Sequence, residues 1–159
     1  MREILFRGKT AAIVGSPYNN GKSDGEWVYG YLFTDLGATK IRQYSAEKPD
    51  CTDYEVDPET VGQYTGLTDK NGKKIYEGDI VKAFDCIYVV MWDSVRAMFY
   101  LRDHRVTSDF YNYFGSNLVV ISNIHDNPQM LNAAAKDIAS DADAGGLAPA
   151  TENFELMGG

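Results

Sequence analysis

Residues 11–23, Ala-Ala-Ile-Val-Gly-Ser-Pro-Tyr-Asn-Asn-Gly-Lys-Ser, look at first like a strand running into a phosphate-holding loop. That chemistry needs glycines that let backbone N–H groups cradle the phosphates, then a Lys and a hydroxyl. The spacing fails, because the motif places four residues between its glycines and five separate Gly15 from Gly21. The context fails too. A phosphate loop feeds a helix whose N-terminus faces the anion, whereas Asp24-Gly25-Glu26 leads here into the aromatic run Trp27-Val-Tyr-Gly-Tyr-Leu-Phe-Thr34. Residues 15–25 read instead as an exposed loop rich in turn-formers.

Other reactive groups are no better placed. His104 and His125 stand alone, without the neighbouring His or Cys that a zinc site requires. Asp50, Asp53, Glu55, Asp57 and Glu59 do not follow the order of a calcium loop. Cys86 adjoins Ile87 and Val89 and reads as inert core, while Cys51 sits among acids that disfavour a thiolate. The two cysteines are expected as free thiols in a reducing compartment, with a single bridge between them as the alternative. No catalytic residue, metal site or cofactor site is assigned, and the expectation is a protein that is not an enzyme.

Basic and aromatic residues interleave in the second half of the chain. Lys70, Lys73, Lys74 and Lys82 surround Asn71-Gly72, and Tyr76, Arg96, Tyr100, Arg102 and Arg105 follow. On a small β-barrel such residues bind nucleotides or single strands. The plainer reading makes the aromatics core and the lysines solubilisers of a turn. Candidate binding residues are therefore Lys73, Lys74, Tyr76, Arg96, Tyr100 and Arg102.

The elements that must hold them are mainly strands. Aromatics make up 13% of the 159 residues and there are fifteen Gly, which favours sheets and tight turns over a helical bundle. The sequence predicts strands over Glu3–Phe6, Trp27–Thr34, Thr39–Ser45, Val61–Leu67, Ile80–Val81, Ile87–Trp92, Ala97–Leu101 and Leu118–Ile121. Gly30 marks a bulge or close backbone approach. Asp57-Pro58 suits the cap of a single helical turn. Asn71-Gly72 suggests a two-residue hairpin with both residues at positive φ. The apolar run Ile87–Trp92 reads as buried on both faces, with Trp92 and Tyr76 as core anchors and Gly66 and Gly78 as backbone-conformation positions. One helix is expected, opened by Asn127-Pro128, before a flexible acidic tail.

Net charge is −8, of which residues 129–159 contribute −4 (one Lys, five acids) and residues 1–128 the other −4 (14 basic, 18 acidic). That balance opposes non-specific nucleic-acid binding yet leaves room for a basic patch on the main body. The N-terminus lacks the apolar run of about 7–15 residues of a signal peptide. No stretch approaches the ~18 apolar residues of a membrane span. A soluble, cytoplasmic protein with no membrane partner is expected.

Two strings are specific enough to suggest kinship: Met1-Arg-Glu-Ile-Leu-Phe-Arg-Gly-Lys9 followed by Gly25-Glu-Trp-Val-Tyr-Gly-Tyr31, and Val56-Asp-Pro-Glu-Thr-Val-Gly-Gln-Tyr-Thr-Gly-Leu-Thr-Asp-Lys-Asn-Gly-Lys-Lys-Ile-Tyr-Glu-Gly-Asp-Ile-Val81. With Ile124-His-Asp-Asn-Pro-Gln-Met-Leu131 they resemble the YopX family of phage and prophage proteins over residues 1–131. Residues 10–24 look like an insertion in that pattern, and the tail lies beyond it. The resemblance implies a phage-encoded protein acting in the bacterial host cytoplasm, mainly β, with no established activity and no catalytic residues to carry over.

The expected architecture is an N-terminal β segment over 1–60, an SH3-like small barrel over 61–131, and a short C-terminal helix with an acidic tail over 132–159. The first functional expectation is a phage accessory protein that binds a host bacterial protein, as inhibitor or adaptor, because an acidic surface suits a basic site on a host factor. The second is a binder of a nucleotide or nucleic acid, including one that sequesters a small signalling nucleotide. A hydrolase is the third. Edge strands that pair between chains would make a homo-oligomer.

Overall fold

A computed structural model of the protein describes residues 1–16, 19–46, 50–103, 107–110 and 118–130. Eleven strands are formed by these residues: β1 Phe6–Lys9, β2 Trp27–Asp35, β3 Ala38–Tyr44, β4 Cys51–Glu55, β5 Gly62–Thr68, β6 Lys74–Tyr76, β7 Asp79–Ala83, β8 Cys86–Asp93, β9 Met98–Arg102, β10 Thr107–Asp109 and β11 Val119–Asn123. They build two antiparallel sheets, one ordered β4-β3-β2-β1-β5-β6 and the other β10-β9-β8-β7-β11. The chain changes sheet at Glu77-Gly78, where Gly78 has φ 81. No helix among the described residues is long and apolar enough to cross a membrane.

The mainly β expectation holds, but the barrel does not close. Among the described residues neither sheet returns on itself. The outer edge of β11 meets a turn instead of a strand: Lys70 N donates to the Leu118 carbonyl, and Val120 N donates to the Asp69 carboxylate. The expected C-terminal helix and tail run almost wholly outside the described residues.

Two clusters of apolar side chains are buried. Val28, Ile41 and Val56 pack with Phe6, Leu32 and Tyr54 beneath the first sheet. Ile75 of β6 joins Val81, Tyr88, Val90, Leu101, Phe110 and Leu118 beneath the second, so the first sheet contributes to that core as well. Gly30 is needed for close approach, since a Cβ there would lie 2.1 Å from the Arg42 carbonyl oxygen on β3. Gly66 and Gly78 both hold positive φ, as expected. The Pro58–Thr60 turn is 3-10 helix capped by Asp57, whose side chain accepts from Glu59 N.

Several expectations are corrected. The first strand begins at Phe6, where β1 can pair with both β2 and β5. β8 alternates: Tyr88 and Val90 are buried while Cys86, Ile87 and Trp92 are exposed. It is therefore a one-faced strand, and Cys86 is no core thiol. Trp92 is 41% exposed at the end of β8, stacked edge-on against Phe99 at 4.8 Å. Tyr76, by contrast, is 4% exposed and anchors the core. Both cysteines are free and exposed. The Asn71-Gly72 turn carries positive φ only at Gly72. Asp69 explains this, because its Oδ1 accepts from Asn71 N and Lys73 N at 2.8 and 2.9 Å and closes a wider turn.

Residues 10–24 do more than project. Asn19 and Lys22 pair across a tight turn, and the buried Asn19 exchanges side-chain hydrogen bonds with the backbone of Glu55. Asn20 donates to the Asp53 carbonyl. Ala11, Asn19 and Asn20 thus occupy the edge of β4 at Asp53 and Glu55, which would otherwise offer unpaired backbone groups to another chain. Lys22 is tied to Glu26 at 3.0 Å, and the chain runs on from Ser23 into strand β2 instead of the helix that a phosphate loop feeds.

Candidate functional site

Strand periodicity places every second residue on one face. Along β2 the even residues Val28 and Leu32 go to the core, which leaves Trp27, Tyr29, Tyr31 and Phe33 on the opposite face. Register then sets cations beside them. Arg7 and Lys9 of β1 lie across from Tyr29 and Trp27, and Arg42 and Lys40 of β3 lie across from Tyr31 and Phe33. Tyr64 pairs with Tyr76 on the far side.

The result is a face of alternating rings and cations. Arg7 lies 4.7 Å from the Trp27 ring centre and 5.2 Å from that of Tyr76. Lys9 lies 5.5 Å from Trp27, Arg42 4.9 Å from Phe33, and Lys74 5.0 Å from Tyr64. These distances are within reach of cation–π attraction.

Where this face meets β11 there is a cleft of about 680 Å³, a size suited to a small organic ligand. Arg7, Trp27, Tyr29 and Tyr76 form one wall, Ile121, Ser122, Asn123 and Asp126 the other, and Lys73 and Lys74 the rim. Asp69 positions that rim. It is 6% exposed; burial alone would raise its pKa, but N–H groups of Val120, Lys73 and Asn71 outweigh burial and hold the carboxyl below its ordinary value. The same bonds clamp the hairpin against β11.

Two further carboxylates fix the walls. Asp79 binds Arg7 at 2.5 Å with both side chains almost fully buried, and its other oxygen accepts from Tyr76 N. Burial pushes the Asp79 carboxyl above its ordinary range, against the pull of Arg7 and of the Tyr76 N–H. Arg7 also donates to the Glu77 carbonyl, while its Nε has no partner among the described residues. Asp126 gathers Lys9 at 2.6 Å, Trp27 Nε1 at 2.9 Å and Asn123 Nδ2 at 2.6 Å. Burial would raise it, but the hydrogen bonds from Lys9, Asn123 and Trp27 win and hold it at about 2. Burial raises the Tyr29 hydroxyl and takes that of Tyr76 to about 12. Both phenols are therefore neutral donors at physiological pH.

Of the residues singled out from sequence, Lys73, Lys74 and Tyr76 meet in this cleft. Arg96, Tyr100 and Arg102 do not line it. Arg96 sits in the β8–β9 turn, 67% exposed at its side chain and 3.8 Å from Asp93. Tyr100 donates to Met91 Sδ, and Arg102 is exposed on β9. Sequence reasoning missed Arg7, Trp27, Tyr29, Asp79 and Asp126. The period-two string Trp27-x-Tyr29-x-Tyr31-x-Phe33, read with Arg7-x-Lys9 and Lys40-x-Arg42, carried the signal. Among the described residues no three His, Cys, Asp or Glu side chains gather as metal ligands.

No curated protein matches the chain. Among solved structures it is similar to protein EF1440 from Enterococcus faecalis, 20% identical, with a TM-score of 0.49 over 82% of this chain and 99% of that one. The family model of the YopX protein matches residues 17–132, which takes in the aromatic face, the rim lysines and β11, and the chain belongs to that family.

Proposed function

We propose that this is a non-enzymatic binding protein whose cleft takes a nucleotide, with the base against Tyr29 and the phosphate toward Lys73 and Lys74. One observation carries the reading: aromatic rings and ammonium groups converge on a single cleft of about 680 Å³. Tyr29 is 44% exposed, so ring surface remains for a base. Among the described residues no carboxylate pairs with the Lys73 ammonium, whereas Lys74 is held by Glu3 at 2.6 Å. Of the cations that line the cleft, Lys73 is thus the one without a carboxylate ion pair among the described residues. A phage protein in a host cytoplasm, as the family resemblance implies, could use such a cleft to sequester a small signalling nucleotide.

Calorimetric titration of the full chain with nucleoside mono- and diphosphates tests this. Binding that weakens at least tenfold in Tyr29→Ala and in Lys73→Ala supports it. No heat at millimolar nucleotide refutes it. A host protein recovered stoichiometrically from lysate by a chain that binds no nucleotide would install the adaptor or inhibitor reading in its place.

A further inference from the structure

The aromatic row does not stop at the cleft. Tyr31 is 52% and Tyr44 59% exposed, their rings meet edge-on at 5.7 Å, and Arg42 lies across from Tyr31. With Tyr29 they make a path of open rings from the cleft mouth along β2 and across to β3. Same-face neighbours on a strand are roughly 7 Å apart, a step that one extended nucleotide can span. Aromatic rings at such steps beside a guanidinium form a stacking platform for single strands.

Resting on the cleft reading, we propose that the ligand is a short single-stranded nucleic acid whose first nucleotide occupies the cleft and whose following bases stack on Tyr31 and Tyr44. Charge sets the character of the complex. Arg7, Lys9, Arg42 and Lys74 already face Asp79, Asp126, Asp53 and Glu3, which leaves Lys73 to neutralise phosphate. Stacking therefore supplies most of the affinity. This is the way a chain of net charge −8 can hold a polyanion without a basic groove. Each phosphate neutralised on a single strand contributes about −0.7 to the slope of log K against log salt, so the slope is expected near −1.

The experiment is fluorescence anisotropy of the full chain with labelled dT8 and U8, alongside calorimetry with the mononucleotides, repeated for Tyr31→Ala and Tyr44→Ala. Both tyrosines are exposed, and circular dichroism serves to check that the variants fold. The expected result is tighter binding of an octamer than of a mononucleotide, with each variant about tenfold weaker for the octamer and unchanged for the mononucleotide. A preference between dT8 and U8 tells which nucleic acid the track takes. Equal affinity for octamer and mononucleotide, with both variants unaffected, overturns the track and leaves the cleft reading standing. A slope steeper than about −2 overturns the stacking account, because three or more phosphates would then be neutralised. Failure of both ligands overturns both proposals.

Discussion

The Arg7–Asp79 pair offers the sharpest test of how the two sheets are held together. Arg7 belongs to β1 and Asp79 to β7, and their side chains are 6% and 1% exposed. Asp79→Asn keeps the shape and leaves a buried guanidinium with no counter-charge. Removing one partner of a buried pair costs about 3–5 kcal/mol, against a total stability of about 5–15 kcal/mol for a domain. With a urea m-value of about 2 kcal/mol/M, the midpoint should fall by roughly 2 M. Arg7→Met in the same chain deletes the stranded cation together with the unpartnered Nε, so the double variant should recover most of the loss. The assay is urea unfolding by tryptophan fluorescence, with midpoint and m-value fitted for wild type, both single variants and the double. A loss under about 1 kcal/mol in Asp79→Asn, or strict additivity in the double, would refute the view that this pair is a desolvated, mutually dependent unit.

Three other outcomes follow from the geometry. Asp126, held at about 2, has a folded pKa below its unfolded value, so its contribution to stability is present above about pH 4 and disappears as pH falls through 2. Asp126→Asn should accordingly narrow the gap between stability at pH 7 and at pH 2, as read from thermal melts. Tyr76→Ala should cost about 3–5 kcal/mol and Trp92→Ala under about 1.5 kcal/mol in urea titrations; equal losses would show that exposure misreads Trp92. Asn19→Ala removes the side chain that occupies the edge of β4 and should produce concentration-dependent oligomers in sedimentation velocity. A variant that stays monomeric would show that the loop does not guard that edge.

Much of the fold was legible in the sequence because strand signals are local. The run from Trp27, the hairpin into β3, the capped turn at Pro58 and the glycines at 66 and 78 follow from residue type and spacing alone. What could not be read depends on pairing between distant segments. The barrel was inferred from short strands at close spacing, but closure turns on what meets β11, and that is Asp69, 51 residues away from Val120. Apolar residues in a row at Ile87–Trp92 do not reveal that only Tyr88 and Val90 face inward. The site divided the same way. Lys73, Lys74 and Tyr76 were visible as a local cluster, whereas Arg7 and Trp27 join them only through the register of β1 with β2. Arg96 and Arg102 shared the composition of a site without sharing its place.

The central position of β1 also bears on how the chain is made. This strand lies between β2 and β5, and the partner of its buried Arg7 comes 72 residues later. During synthesis at about 5–20 residues per second, β1 and β2 emerge early, but the sheet's interior charge stays unmatched for several seconds until Asp79 follows. Contacts of such long range slow folding. A nascent chain arrested before Asp79 should be open to protease and one arrested well beyond Asn123 resistant, so that the first strand translated is among the last to be locked in place.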